Sequence, residues 1–378
     1  MIYTTSKIAD KKIQEDIETI KKIILKKFNP RAIILFGGFG HGGGSFKINE
    51  KKVTPLNDYD LYLIMNKKIN DSVLEELGKK CSKALGRGGM EIVENFQNIY
   101  DENKFFHVDL HSLEYKNLGR LYPTQRSFDL KTSLVVWGDK NVLDKIPEIK
   151  ISKSDVIRLL FNKLNHFAIA KGNSNTIKSI YAVKGLTDLC SALLIFYDKY
   201  DSRYQEREEI FQELDVPDRL KKLVSEATKS KLLYGYSVKN TEKFFSESKK
   251  WVEWTLRKII KEYLKIDSED WKIICRKMYD RLPYLYFNDY LRSRYLFIGQ
   301  YYLNILFFIS GLRKGKFLIK SLMRWRDAGL IIGISMILYS FEEENEAEKY
   351  IKKITNSRNS LKKRILELYS IYYLQKLI

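Results

Sequence analysis

Cysteine and proline are scarce in this chain, at three and six of 378 residues. Cys81, Cys190 and Cys275 are too few and too widely spaced for a disulfide framework or a zinc knuckle, which excludes the small stapled folds. So little proline, with only 20 glycines, argues against a fibrous or disordered chain. The opening stretch, MIYTTSKIADKKIQ, has no apolar core of the kind a signal peptide carries. The expected setting is therefore reducing, intracellular and cytoplasmic. Long apolar runs are missing as well. The best candidate, Tyr295 to Leu312, is interrupted by Gln300, Asn304, Ser310 and two glycines, whereas a spanning helix needs about 20 predominantly apolar residues. It reads as a buried helix, as does Leu330 to Tyr339, and no membrane span is expected.

Against these absences stand 44% hydrophobic and 30% charged residues, the balance of a folded protein. The length suits two domains, or one domain with a large helical appendage. The 67 Lys and Arg outnumber 47 Asp and Glu, for a net charge of +20. Residues 1–150 hold 25 basic and 20 acidic residues, so the remainder carries a net of +15. Such an excess attracts polyanions such as nucleic acid or nucleotides. A chain rich in Ile, Lys, Asn and Tyr throughout also reaches it by composition alone, and the two readings stand side by side.

The pattern of elements changes along the chain. Ser6 can cap a helix whose apolar positions Ile13, Ile17, Ile20 and Ile24 recur at helical spacing, and Pro30 blocks its continuation. Ala32 to Phe36 is a short apolar run suited to a buried strand, and it leads directly into Gly37-Gly38-Phe39-Gly40-His41-Gly42-Gly43-Gly44-Ser45. A polar stretch, Lys47 to Pro55, follows. Strands are expected at Leu61 to Met65, Met90 to Val93, Lys104 to Leu113 and Leu134 to Trp137, with a helix over Asp71 to Leu85. After Pro147 helical periodicity dominates, with Asp201 to Arg207 as a charged break. The expected fold class is α+β: a mixed-sheet domain over 1–148 and a mostly helical domain over 152–378, with a subdivision near 265.

The chemistry-bearing residues fall in the first part. Side chains alternate along a strand. Asp58 and Asp60 therefore point the same way, as do His107, Asp109 and His111, while Phe106, Val108 and Leu110 point to the opposite face. Three carboxylates sharing one face repel one another, and a hard divalent cation with oxygen ligands removes that cost. Glycines without a Cβ let backbone N–H groups approach a phosphate. His-x-Asp-x-His on one strand face also permits transition-metal ligation, although a bracing role beside Asp109 or ordinary packing is the simpler reading.

Leu35-Phe-Gly-Gly38, Asn57-Asp-Tyr-Asp-Leu61 and His107-Val-Asp-Leu-His111 together resemble the nucleotidyltransferase superfamily that includes DNA polymerase beta, poly(A) polymerases, CCA-adding enzymes and aminoglycoside nucleotidyltransferases. The resemblance covers roughly residues 30–140. It is nearest a branch with a long loop similar to Gly-Gly-Tyr/Phe-Gly-Arg-Gly-Glu-Gly followed by Asn-Asp-Tyr-Asp. The chain departs from that pattern at His41 and Gly43 and in a long spacer to Asp58, which is either a flap over the nucleotide or a degenerate loop.

The resemblance implies a transfer of a nucleoside monophosphate from an NTP, ATP among the possibilities, to an acceptor hydroxyl. Asp58, Asp60 and Asp109 would be the catalytic and metal-binding residues, holding two Mg²⁺ (or Mn²⁺) ions. Gly37, Gly38 and Ser45 would contact the phosphates. Helices after the sheet in this superfamily often supply a Lys and a Tyr to the triphosphate. Here Tyr181, Lys184, Asp188 and Ser191 share one narrow helix face, which is either turned to the nucleotide, with Lys184 as the candidate, or an ordinary solvated face. The acceptor is a small molecule, a protein or an RNA end. The alternative is a catalytically degenerate nucleotide- or RNA-binding protein of the same fold. Arg313, Lys316, Lys320 and Arg324 recur at helical steps and form either a phosphate track or an ordinary exposed face.

Overall fold

The computed structural model describes residues 1–50, 52–87, 106–170, 173–281, 305, 307–309, 311–312, 328–341, 343–355, 357 and 359–373. The expected strand at Met90 to Val93 and the basic stripe at Arg313, Lys316, Lys320 and Arg324 lie outside the described residues. So does most of Tyr295 to Leu312.

Ser6 caps helix α1 (Lys7–Lys27) by accepting the Ala9 N–H at 3.4 Å. Ile13, Ile17, Ile20 and Ile24 form its buried stripe. The helix ends at Phe28, which turns extended ahead of Pro30. Strand β1 (Ala32–Phe36) follows, then a one-turn helix α2 (Gly37–Gly40), a hairpin of β2 (Phe46–Asn49) and β3 (Lys52–Pro55), and strand β4 (Tyr59–Met65). The polar stretch is thus an ordered hairpin. Phe46 and Val53 are buried on one side of it with Ala9 of α1. Helix α3 (Asp71–Ala84) is capped by Asn70, and β5 (Val108–Glu114), α4 (Gln125–Lys131) and β6 (Leu134–Gly138) complete the region.

The four longer strands form one mixed sheet in the order β5-β4-β1-β6. β1 is antiparallel to both of its neighbours, and β4 is parallel to β5. Helices α1 and α3 contribute Ile13, Ile17, Ile20, Leu74 and Leu77 to a core that includes Ile33, Leu35, Leu61, Leu63, Val108 and Leu110.

Tyr59 explains the aromatic residue between the two aspartates. Its ring packs against Phe39 and Phe106, with centroids 5.0 and 5.5 Å away. Its hydroxyl donates to the buried carboxylate of Asp16 on α1 at 2.8 Å. Burial, and then the Asp16 charge, push the phenol well above its ordinary pKa, so it stays a donor. Tyr59→Phe removes that donor and leaves Asp16 with Lys12 as its ion-pair partner. We expect the variant to lose about 1–2 kcal/mol in chemical denaturation, the cost of a buried acceptor stripped of one bond.

Two compact units divide the chain, and both are discontinuous. The first joins Met1–Lys150 to Gly172–Val183 and Tyr200–Phe245. It therefore includes helices beyond residue 150. Among them, Leu232 accepts a hydrogen bond from Thr5 at 3.2 Å, and the Tyr236 hydroxyl accepts one from Asn57 at 3.1 Å. The second unit comprises Ile151–Lys171, Lys184–Lys199 and Ser246–Ile378, and its described elements are all helices. The helix Thr241–Leu264 begins in the first unit and continues in the second; it is followed by Lys265, in the left-handed region at φ 51°, and by Trp271–Arg281, also in the second unit. Among the described residues, Asn175–Phe196 is long and apolar enough to cross a membrane by length and composition, and 83% of its apolar window is buried inside the protein.

Candidate active site

The parallel pairing of β4 with β5 decides what lies beside what. It sets Asp60 opposite Asp109 and Tyr62 opposite His111, on the face away from Tyr59, Leu61, Val108 and Leu110. On the other side of β4, Phe36 pairs with Asp60, so β1 delivers its glycine turn to the same carboxylate. Gly37 has φ +69°, and a Cβ there would sit 3.0 Å from Asp60 Oδ2. Glycine is required at this position both by backbone conformation and by the space the carboxylate occupies.

Three ligand atoms, one each from Asp60, Asp109 and His111, lie within 4.8 Å of one another. Asp58 stands beside this group. Its Oδ1 accepts the His107 backbone N–H at 3.0 Å and lies 3.0 Å from His107 Nδ1. Burial first, and then the charges of Asp58 and Asp109, push Asp60 up from 3.8 to about 7 against the opposing pull of Arg126 and His107. The site is short of positive charge, which is the electrostatic condition a bound divalent cation relieves.

The other expected site residues are placed differently. Gly38 turns the loop, and a Cβ there would lie 3.3 Å from the Gly43 carbonyl and 3.4 Å from Asn57 Oδ1. Ser45 is fully buried. Its N–H donates to Asn57 Oδ1 at 2.6 Å, and its Oγ has no hydrogen-bond partner among the described residues. The bond that braces the loop at Ser45 is thus made by its backbone, while its hydroxyl is enclosed. Lys184 is half-buried in the helix Asn175–Phe196 and belongs to the second unit, whereas the carboxylates belong to the first.

The structure adds further side chains to the site, of which Arg126 carried no signal in the sequence. Arg126, on α4, donates through Nε to the Tyr62 hydroxyl and reaches His111 Nε2 with Nη2 at 2.8 Å. Its guanidinium also lies 5.5 Å from the Phe36 ring centroid. His41 sits between two carbonyls, with Nδ1 2.9 Å from Gly37 O and Nε2 2.9 Å from Asp129 O, so it ties the glycine turn to the end of α4. Burial lowers its pKa. Behind the loop, Tyr204 is flanked by the buried cations Arg207 and Lys231, at 3.9 and 4.5 Å from its ring centroid. A Cβ on Gly43 would meet that ring at 2.7 Å. Gly43 is thus small because an aromatic backstop presses on it.

No family model matches the chain, and no curated protein matches it. Among solved structures, the chain is similar to a spectinomycin adenyltransferase from Enterococcus faecialis determined with ATP and spectinomycin. The identity is 15% and the TM-score 0.39, and the match covers 63% of this chain and 98% of that one.

Proposed function

We propose that this protein is a metal-dependent nucleotidyltransferase. It would move a nucleoside monophosphate from an NTP to an acceptor hydroxyl, with release of pyrophosphate. The observation that carries the reading is the convergence of Asp60, Asp109 and the Gly37 turn on one face of a mixed sheet, with the Asp60 carboxyl pushed up to about 7 by burial and then by the charges of Asp58 and Asp109. Asp58 and Asp60 come from one strand edge and Asp109 from its parallel neighbour, so all three can hold Mg²⁺ or Mn²⁺. The oxygen donors and the excess negative charge fit such an ion. When bound, the metal supplies charge stabilisation at the triphosphate and at the leaving pyrophosphate.

The remaining work belongs to the chain's own groups. The backbone N–H groups of Gly37 and Gly38 face incoming phosphate oxygens. Their carbonyl-side anchor is His41, and their backing is Tyr204 through Gly43. The Asp109 carboxylate, 29% exposed, accepts the acceptor hydroxyl's proton as its oxygen attacks the α-phosphorus and the bond to pyrophosphate breaks. Catalysis of this kind is mostly positioning and electrostatics. The acceptor is a small molecule, a protein or an RNA end, and the net charge of +15 beyond residue 150 keeps RNA among them.

The test is to incubate the full chain with each α-labelled NTP, Mg²⁺ or Mn²⁺, and separate pools of metabolites, RNA and protein. Label should move to one pool with release of pyrophosphate. Metal-dependent nucleotide binding with no transfer to any pool would identify a binding protein of this fold and refute the enzyme.

A further inference from the structure

His111 occupies a position that a purely carboxylate site does not explain. It is only 4% exposed, and its ring stacks on Tyr62 with centroids 4.9 Å apart, so its orientation is held by packing. Its Nε2 lies 3.1 Å from Asp109 Oδ2 and 2.8 Å from Arg126 Nη2. Arginine has donors only and keeps its charge, so the contact with Arg126 requires a bare lone pair on Nε2. That lone pair and the Asp109 oxygen are then two acceptors facing each other. Protonating Nε2 reverses the conflict and sets two donors against each other. A cation among Nε2, Asp109 and Asp60 satisfies all three groups at once, and the Gly37 turn leaves room beside Asp60 because no Cβ stands there.

We propose that His111 is a direct metal ligand through Nε2, together with Asp60 and Asp109, and that this mixed nitrogen–oxygen set makes the site prefer a borderline transition ion such as Mn²⁺ over Mg²⁺. Imidazole nitrogen binds first-row transition ions far better than it binds Mg²⁺, which demands oxygen and gives up its water reluctantly. The bound ion takes the place of the Arg126 Nη2 contact at Nε2. The proposal deepens the nucleotidyl-transfer reading at the same site, but metal binding is measured without turnover, so each can fail alone.

The experiment is pulsed EPR on the wild-type full chain with Mn²⁺ alone and with Mn²⁺ plus inorganic triphosphate, which contributes no nitrogen. A ¹⁴N modulation on bound Mn²⁺, replaced by a ¹⁵N pattern when only histidine is labelled, is the expected result. It needs no variant and so does not depend on one folding. In His111→Gln the modulation should vanish and the Mn²⁺ affinity fall about tenfold or more, while the Mg²⁺ affinity measured by competition moves much less. Absence of nitrogen modulation under both conditions, or an equal loss for both metals in the variant, overturns the proposal. Nitrogen coupling without label transfer leaves the proposal standing and sinks the transferase reading. Transfer without nitrogen coupling does the reverse.

Discussion

Asp60→Asn should cut nucleotidyl transfer by about three orders of magnitude and, at the same time, raise the stability of the metal-free protein at pH 8. The two effects share one cause. Asp60 titrates near 7 in the folded chain, because burial and the charges of Asp58 and Asp109 disfavour its ionised form, against 3.8 when exposed. Its folded pKa lies above its unfolded one, so between those values the native state holds more proton than the unfolded state. Stability contributed by this group is present in acid and is lost as pH rises through about 7. At pH 8 the ionised carboxylate costs on the order of 2 kcal/mol, after allowance for its partial exposure. Thermal denaturation with EDTA should show wild type declining from pH 5 to 8 and the Asn variant lacking that decline. Adding Mg²⁺ or Mn²⁺ should restore wild type at pH 8 and leave the variant little changed. A variant that keeps near-normal turnover would remove Asp60 from the reaction. One whose stability follows wild type across pH would show that the carboxylates are not in electrostatic conflict.

Gly37→Val should lower turnover by about two to three orders of magnitude and destabilise the chain by roughly 1–2 kcal/mol. The backbone at Gly37 has φ +69°, and the new Cβ would sit 3.0 Å from Asp60 Oδ2, so the substitution both strains the turn and displaces the carboxylate. Gly86→Val is the matched control. Gly86 has φ +72°, but nothing among the described residues lies within 4 Å of its missing Cβ, so that variant carries the backbone strain without the clash at Asp60. Both should lose comparable stability in denaturant, while only Gly37→Val loses activity. Equal turnover in the two variants would mean that the turn does not shape the site.

Part of this site is legible in the chain without any coordinates. Asp58 and Asp60, two residues apart beside an apolar strand, share a face by alternation, and the same holds for His107, Asp109 and His111. The glycine run after Ala32–Phe36 announces a turn where backbone must come close to something. The stripe of Ile13, Ile17, Ile20 and Ile24 foretells the helix that covers the sheet. Arg126 was not legible, because it lies on a seven-residue helix after a polar loop, where no periodicity marks an inward-facing side chain. The hairpin at Phe46–Pro55 was hidden by its exposed Lys47, Asn49 and Lys52, which read as loop. The return of Tyr200–Phe245 to the first unit depends on contacts such as Asn57 with Tyr236, 179 residues apart.

What the sequence determined alone is therefore the local part: which residues alternate on a strand, which recur on a helix face, and where only glycine fits. Those patterns follow from backbone geometry within a few residues. The tertiary structure decided which strand lies beside which and in what register. The parallel pairing that sets Asp60 against Asp109 and Tyr62 against His111 brings together groups some fifty residues apart. Nothing within either segment encodes that neighbour, because register is chosen by how the opposite faces of both strands bury Leu61, Leu63, Val108 and Leu110 in one core. For the same reason the motif places His111 on the face of Asp109, but only packing decides what its ring meets. Its Nε2 meets the Asp109 carboxylate and the Arg126 guanidinium only once β4, β5 and α4 have closed around it.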